Sequence, residues 1–312
     1  MAKKGLRAAA GLALALVVSG PALAQSSNGT GSKAHDSTLR ERCDGRHFPP
    51  REQHAIGEAK EQPILYHGGP VMLGVTHVYY IWYGNWSSNT ATSILTDFAN
   101  SIGGSLYFDI NTSYTDASGG RVSNTVTFAG SINDDYSQGT TLTDAAVEQV
   151  VTDAIASNRF PSDPHGVYFV LTSADVSEAS GFCSQYCGWH THVTLTGKDI
   201  KYAFVGNPDR CINSCAAQSV GPNCNPGADA MASIIAHELE EAVTDPDLDA
   251  WFDAGGAENA DKCAWTFGAT YTVANGAMAN MHLGARDYLI QQNWNAGDNQ
   301  RCSLAYPLAV EP

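Results

Sequence analysis

The run Val78-Tyr79-Tyr80-Ile81-Trp82-Tyr83 has no polar face. Its β-branched and aromatic side chains suit an extended strand, and a strand that is apolar on both sides must be covered on both sides. Val167-Tyr168-Phe169-Val170-Leu171 and Tyr202-Ala203-Phe204-Val205 repeat the feature. Elsewhere the period changes to that of a helix. Ile94, Leu95, Phe98 and Ile102 recur at helical spacing within 89–102, as do Val147, Val150, Val151 and Ile155 within 142–156, where Thr143 is the N-cap candidate. The Thr-, Ser- and Tyr-rich stretch 107–128 predicts short strands. Strands alternating with helices predict an α/β fold: a single layered domain with a mixed sheet flanked by helices, not a sandwich. No internal repeat or composition shift divides the core, so 61–312 reads as one globular domain.

The N-terminus reads as an export signal. Lys3, Lys4 and Arg7 precede an apolar run from Leu6 to Val18, and Ala22-Leu23-Ala24 supplies an A-x-A cleavage site before Gln25. Residues 1–24 are therefore expected to be removed. No later segment is long and apolar enough to span a bilayer. Residues 25–60, rich in Ser, Gly, Asn and charge, predict a flexible arm, and the core begins near Ile64. With 17 Lys and Arg against 32 Asp and Glu, the chain carries −15; loss of the three bases in the leader makes this −18. Such a surface argues against nucleic acid and anionic membranes and favours cations. The eight cysteines, Cys43, Cys183, Cys187, Cys211, Cys215, Cys224, Cys263 and Cys302, are even in number in an exported chain, so they predict disulfides rather than zinc-thiolate sites. Cys263 with Cys302 is the expected pair outside the crowded 183–224 segment, which reads as a loop-rich elaboration stapled beside the core.

One segment carries chemistry. Ala228 to Val243 is rich in helix formers, with Met231, Ile234, Ile235, Leu239 and Ala242 as its buried stripe, Asn225-Pro226 as its start and Thr244-Asp245-Pro246 as its stop. On it lie His237, Glu238, Glu240 and Glu241. His237 and Glu241, four apart, share a face and can chelate one ion, and Glu238 occupies the general-base position of an H-E-x-x-H metallohydrolase. Here the pattern is H-E-x-x-E. Three glutamates at a helix C-terminus oppose the macrodipole by about 0.3–1 kcal/mol each, which a bound cation reverses. Glu258 and Asp261, 17 and 20 residues beyond Glu241 in a Gly-rich loop, are the candidates for a third ligand. The competing interpretation is a solvated acidic helix end. Zinc is the expected ion. Calcium, which prefers oxygen ligands, is the alternative, and two carboxylate ligands also suit a purely structural metal.

His190 and His192, in Gly188-Trp189-His190-Thr191-His192, alternate like neighbours on one strand face. They could add a ligand, although two loop histidines beside a disulfide is the reading favoured. The sequence contains no G-x-S-x-G and no phosphate-binding glycine loop, and bridged cysteines leave no thiol nucleophile.

Tyr66-His67-Gly68-Gly69-Pro70-Val71, Ile81-Trp82-Tyr83-Gly84, Leu142-Thr143, the run from Gly166 to Val176, Gly181-Phe182-Cys183, Cys187-Gly188, Val205-Gly206-Asn207 and the pair Cys211 and Cys215 occur in the order seen in the phosphate-induced protein 1 family, which includes the plant EXORDIUM proteins. The chain resembles that family over roughly 63–302. The resemblance implies a secreted protein of the cell wall or surface without established enzymatic activity, whose partner is an unknown extracellular protein or wall component. The stretch His237-Glu238-Leu239-Glu240-Glu241, with Trp251 and Glu258-Asn259-Ala260-Asp261-Lys262-Cys263, more closely resembles microbial exported proteins with a zincin-like active helix. Plant growth signalling is therefore not carried over. Two readings follow. One is a secreted zinc-dependent, peptidase-like hydrolase, with His237, Glu241 and Glu258 or Asp261 as ligands and Glu238 as base. The other is a non-enzymatic extracellular protein with a structural metal or none.

Overall fold

The structure, a computed structural model, describes residues 62–297 and 300–307. The expected leader and arm, 1–60, lie outside the described residues. The three apolar runs are the middle of a five-stranded sheet, formed by β1 (Thr76–Tyr83), β2 (Val126–Asp134), β3 (Gly166–Thr172), β4 (Gly188–Leu195) and β5 (Lys198–Val205). Its order is β2-β1-β3-β5-β4. All neighbours are parallel except β4, which returns antiparallel along β5. Thr196 and Gly197 join these two strands with φ of 51° and 81°, the left-handed conformation that a two-residue hairpin turn matching strand twist requires.

Strand alternation then sorts the core into two layers. Val78, Tyr80, Trp82, Val167, Phe169, Leu171, Ala203 and Val205 face helix α1 (Ala91–Ser101) and a long helix, α3 (Pro226–Thr244). Tyr79, Ile81, Tyr83, Tyr168, Val170, Tyr202 and Phe204 face helix α2 (Asp144–Ala156). The expected α/β arrangement of a mixed sheet with flanking helices is therefore present. Both expected caps form: the Thr143 hydroxyl accepts from Ala146 N–H at 3.2 Å, and the Asn225 carboxamide oxygen accepts from Ala228 N–H at 3.1 Å. Each satisfies an otherwise orphaned donor in the first turn.

Two expectations change. The stretch 107–128 is not a set of strands: Phe108–Ser113 is a 3₁₀ turn, and only the last residues enter β2. The Thr112 and Ser113 hydroxyls donate to the carbonyls three residues back, at 2.7 Å each, and this local bonding competes with a ladder. The stretch 183–224 is also more than loops, because beside the expected strand at Tyr202–Val205 it holds β4. Cys183–Cys211 and Cys187–Cys215 tie the entry of β4 to the segment after β5, and the expected Cys263–Cys302 bridge is present. Among the described residues no cysteine is free and no helix is long and apolar enough to cross a membrane.

Candidate metal centre

Helix α3 supplies the floor of the centre. Met231, Ile235, Leu239 and Ala242 are buried as their spacing predicts, but Glu238, Glu240 and Glu241 are buried too, at 3%, 0% and 3% exposure. A solvated acidic helix end is thereby excluded. Glu240 points away from its two neighbours. Its Oε2 lies 3.0 Å from the Tyr107 hydroxyl, which also lies 2.9 Å from the Gln291 carbonyl. Burial raises the Glu240 pKa far above the usual carboxylate range. Once protonated, Glu240 can donate to Tyr107 while Tyr107 donates to Gln291.

The loop after α3 returns beneath it. Trp251–Phe252 pairs with Leu65–Tyr66, and the loop then presents Glu258, followed by Asp261 at the start of a 3₁₀ turn (Asp261–Cys263), to the helix. Asn259 locks this approach by donating to the Glu240 carbonyl at 3.2 Å, and Asp261 N–H donates to Glu241 Oε1 at 3.1 Å. Lys262 is turned inward, its ammonium 2.8 Å from Asp253 and 2.7 Å from the Gln62 carbonyl.

The third wall is β4. Pairing with Ala203 turns the His190 side chain toward α3, while Trp189 on the other face stacks on Phe204. His190 is thus a buried strand residue inside the centre, not a loop histidine. Gly188 precedes it at the closest approach of strand and helix, where a Cβ would sit 2.8 Å from Glu238 Oε1 and 2.7 Å from Ile234. His192 joins a separate group, 2.7 Å from Asp199, with Asp247 and Lys201 nearby.

The five candidate residues therefore meet, together with His190. His237 Nε2 is 3.0 Å from Glu241 Oε1 and 3.4 Å from Asp261 Oδ1. Glu258 lies beside His190 Nε2, at 3.1 Å, and Glu241 Oε2 is 3.8 Å from the same nitrogen. Glu238 has an oxygen within 4.8 Å of ligand atoms of both His237 and Glu241. Behind His237, the Gln291 carboxamide is 2.5 Å from Nδ1. All six side chains border one cavity of about 350 Å³, whose walls include Leu248, Phe252, Trp265, Phe267 and Leu289.

Burial of so many charges together shifts them strongly. Desolvation works against charge on His190, but Glu258, Glu241 and Glu238 outweigh it and hold the imidazole pKa up at about 10. His237 likewise rises well above its ordinary value, against desolvation, through Glu241 and Asp261. Burial lifts Glu238 to about 8, opposed by His237 and reinforced by Glu241. It also raises Glu241 and Glu258. Without a cation, then, the centre retains protons. The donor set, two imidazoles and four carboxylates, suits a borderline divalent metal such as zinc better than calcium, which prefers all-oxygen cages.

The sequence offers His190 as a possible ligand but favours a loop histidine there, because its partners lie 51 and 68 residues away. The one signal for it was the alternation of His190 and His192.

Residues 64–304 match the model of the phosphate-induced protein 1 conserved region. Protein EXORDIUM-like 5 and Protein EXORDIUM-like 3 of Arabidopsis thaliana are each 33% identical to the chain, over 274 and 275 residues, covering 74% of it and 75% and 80% of the relatives. Protein PHOSPHATE-INDUCED 1 of Nicotiana tabacum is 27% identical over 220 residues, 61% of this chain and 67% of that one. No solved structure matches. On the strength of the 64–304 match and the two relatives at 33% identity, the chain belongs to the phosphate-induced protein 1 family.

Proposed function

We propose that the protein is an exported zinc-dependent hydrolase of peptidase type, acting outside the cell as the chain 25–312 left by loss of 1–24, with 61–312 as its globular domain. The carrying observation is that His237, Glu238, Glu241 and Asp261 converge on the floor of a 350 Å³ cavity with apolar walls. Zinc in a tetrahedral site has bonds of ~2.0–2.2 Å, so its ligand atoms stand roughly 3.3 Å apart. The spacings of 3.0 and 3.4 Å around His237 Nε2 suit that geometry. The assigned ligands are His237 and Glu241, on a zincin-like helix, and Asp261, from the 3₁₀ turn that follows.

Each neighbour has a part. Gln291, whose Nε2 stands 2.5 Å from His237 Nδ1, fixes the ring with its Nε2 toward Glu241 and Asp261. Glu238 is the general base. A divalent ion a few ångströms away favours the ionised carboxylate, so metal loading brings Glu238 down from about 8 into its proton-accepting form at neutral pH. A metal held by these residues would supply an acidified water, whose proton Glu238 is placed to accept. The aromatic walls suit the side chains of a peptide on either side of the scissile bond. The disulfides fit an oxidising destination.

The test is a peptide-library digest by the exported protein before and after chelation. Cleavage should vanish with the metal and return when Zn²⁺ is restored. A chain that retains no metal, or cleaves nothing when loaded, would instead be a non-enzymatic wall or surface protein.

A further inference from the structure

Glu241 is placed between two histidines. Its Oε1 faces His237, at 3.0 Å, and its Oε2 faces His190, at 3.8 Å. Beyond each histidine stands a further acid: Asp261 at 3.4 Å from His237, Glu258 at 3.1 and 3.3 Å from His190. Potential ligand atoms within 4.8 Å of one another form two groups here, His190 with Glu241 and Glu258, and His237 with Glu238 and Glu241; Glu241 belongs to both, and Asp261 flanks the second through His237 alone. Spacings of 3.0–3.8 Å around each imidazole nitrogen are those of a tetrahedral ligand set.

We infer that the centre is built for two divalent ions bridged by Glu241, the second held by His190 and Glu258. This rests on the metal-centre reading above and extends it to a residue that reading does not use. A carboxylate that gives one oxygen to each ion suits the separation of roughly 3.5–4 Å found in two-metal hydrolytic sites. Charge points the same way. Fully ionised, Glu238, Glu241, Glu258 and Asp261 would carry four negative charges in one cavity. One divalent ion offsets half of that and leaves the rest to bound protons or a second ion, since buried unpaired charge is strongly unfavourable. A second ion balances it with both imidazoles neutral.

The two sites differ in support. His237 Nδ1 is backed by Gln291, whereas His190 Nδ1 is buried without a hydrogen-bond partner. Loss of such a partner weakens metal affinity by about 10–100-fold, so the His190 site should fill second.

Chelator-stripped, exported protein titrated with Zn²⁺ should take up two ions per chain in steps separated by about 10–100-fold in affinity. His190→Gln should remove the weaker step and keep the tighter one. His237→Gln should do the reverse. Glu258→Gln replaces His190→Gln if that variant does not fold. Wild-type protein loaded with Mn²⁺ adds a readout that needs no variant: an isolated six-line electron paramagnetic resonance spectrum at one equivalent, and an exchange-coupled one at two. Saturation at one ion, with uncoupled Mn²⁺ and His190→Gln unchanged, overturns the second site and spares the first. Retention of no ion overturns both.

Discussion

Gly188→Ala tests whether strand β4 and helix α3 are packed together as tightly as the centre requires. The added Cβ would lie 2.7 Å from Ile234 Cγ2, 2.8 Å from Glu238 Oε1 and 2.9 Å from the Phe204 carbonyl oxygen. Ordinary contact begins near 3.4 Å, so the Glu238 carboxylate must retreat by about 0.6 Å, and the Phe204 oxygen is backbone that cannot simply rotate away. Overpacking of a close-packed interior costs about 1–3 kcal/mol, or roughly a 5- to 150-fold loss in the folded-to-unfolded ratio. Misplacing a catalytic group by something approaching an ångström lowers turnover by up to ~10². Urea unfolding should therefore show a lower midpoint at unchanged slope, and peptide cleavage at matched metal content should fall more than stability alone explains. An unchanged midpoint and unchanged rate would refute the packing argument. A lower midpoint with full activity would remove Glu238 from the chemistry.

Lys262→Met should destabilise the fold by about 3–5 kcal/mol, because it strands the buried Asp253 carboxylate; adding Asp253→Asn should recover part of the loss in the same unfolding assay. Asp229, in the first turn of α3, has its pKa raised by burial from 3.8 to about 6. A raised carboxylate pKa means the folded state holds the proton more tightly, so this contribution is complete below pH 3.8 and is lost as pH rises through 6. At 1.36 kcal/mol per unit, the wild type should lose about 2.4 kcal/mol relative to Asp229→Asn between pH 4 and 7, and parallel stability profiles would contradict this.

The sheet was legible because its middle strands are apolar on both faces, which leaves little but a central strand with helices on either side. Helices α1, α2 and α3 were legible from period and caps, and Cys263–Cys302 from its isolation along the chain. The 3₁₀ turn at Phe108–Ser113 was not legible, because hydroxyl-to-carbonyl bonding decides it and composition favours strands. Strand β4 hid among cysteines and polar residues because an edge strand need not be apolar. The candidate site was legible where ligands are local: His237 and Glu241 are one turn apart. Glu258 and Asp261 were visible only as acids within reach. Which histidine each would face depends on how Asn259 pins the loop to α3 and on which face of β4 turns inward. Both are set by tertiary packing.

The most direct measurement compares wild type with Glu238→Gln at equal metal content. The variant keeps the shape and removes the proton acceptor. It should bind the same number of zinc ions and unfold at the same denaturant concentration or higher, since a buried carboxylate is replaced by a neutral amide. Its peptide cleavage should fall by about 10² or more, because general-base catalysis contributes 10²–10⁴. Equal cleavage by the two proteins at equal metal content would contradict the account.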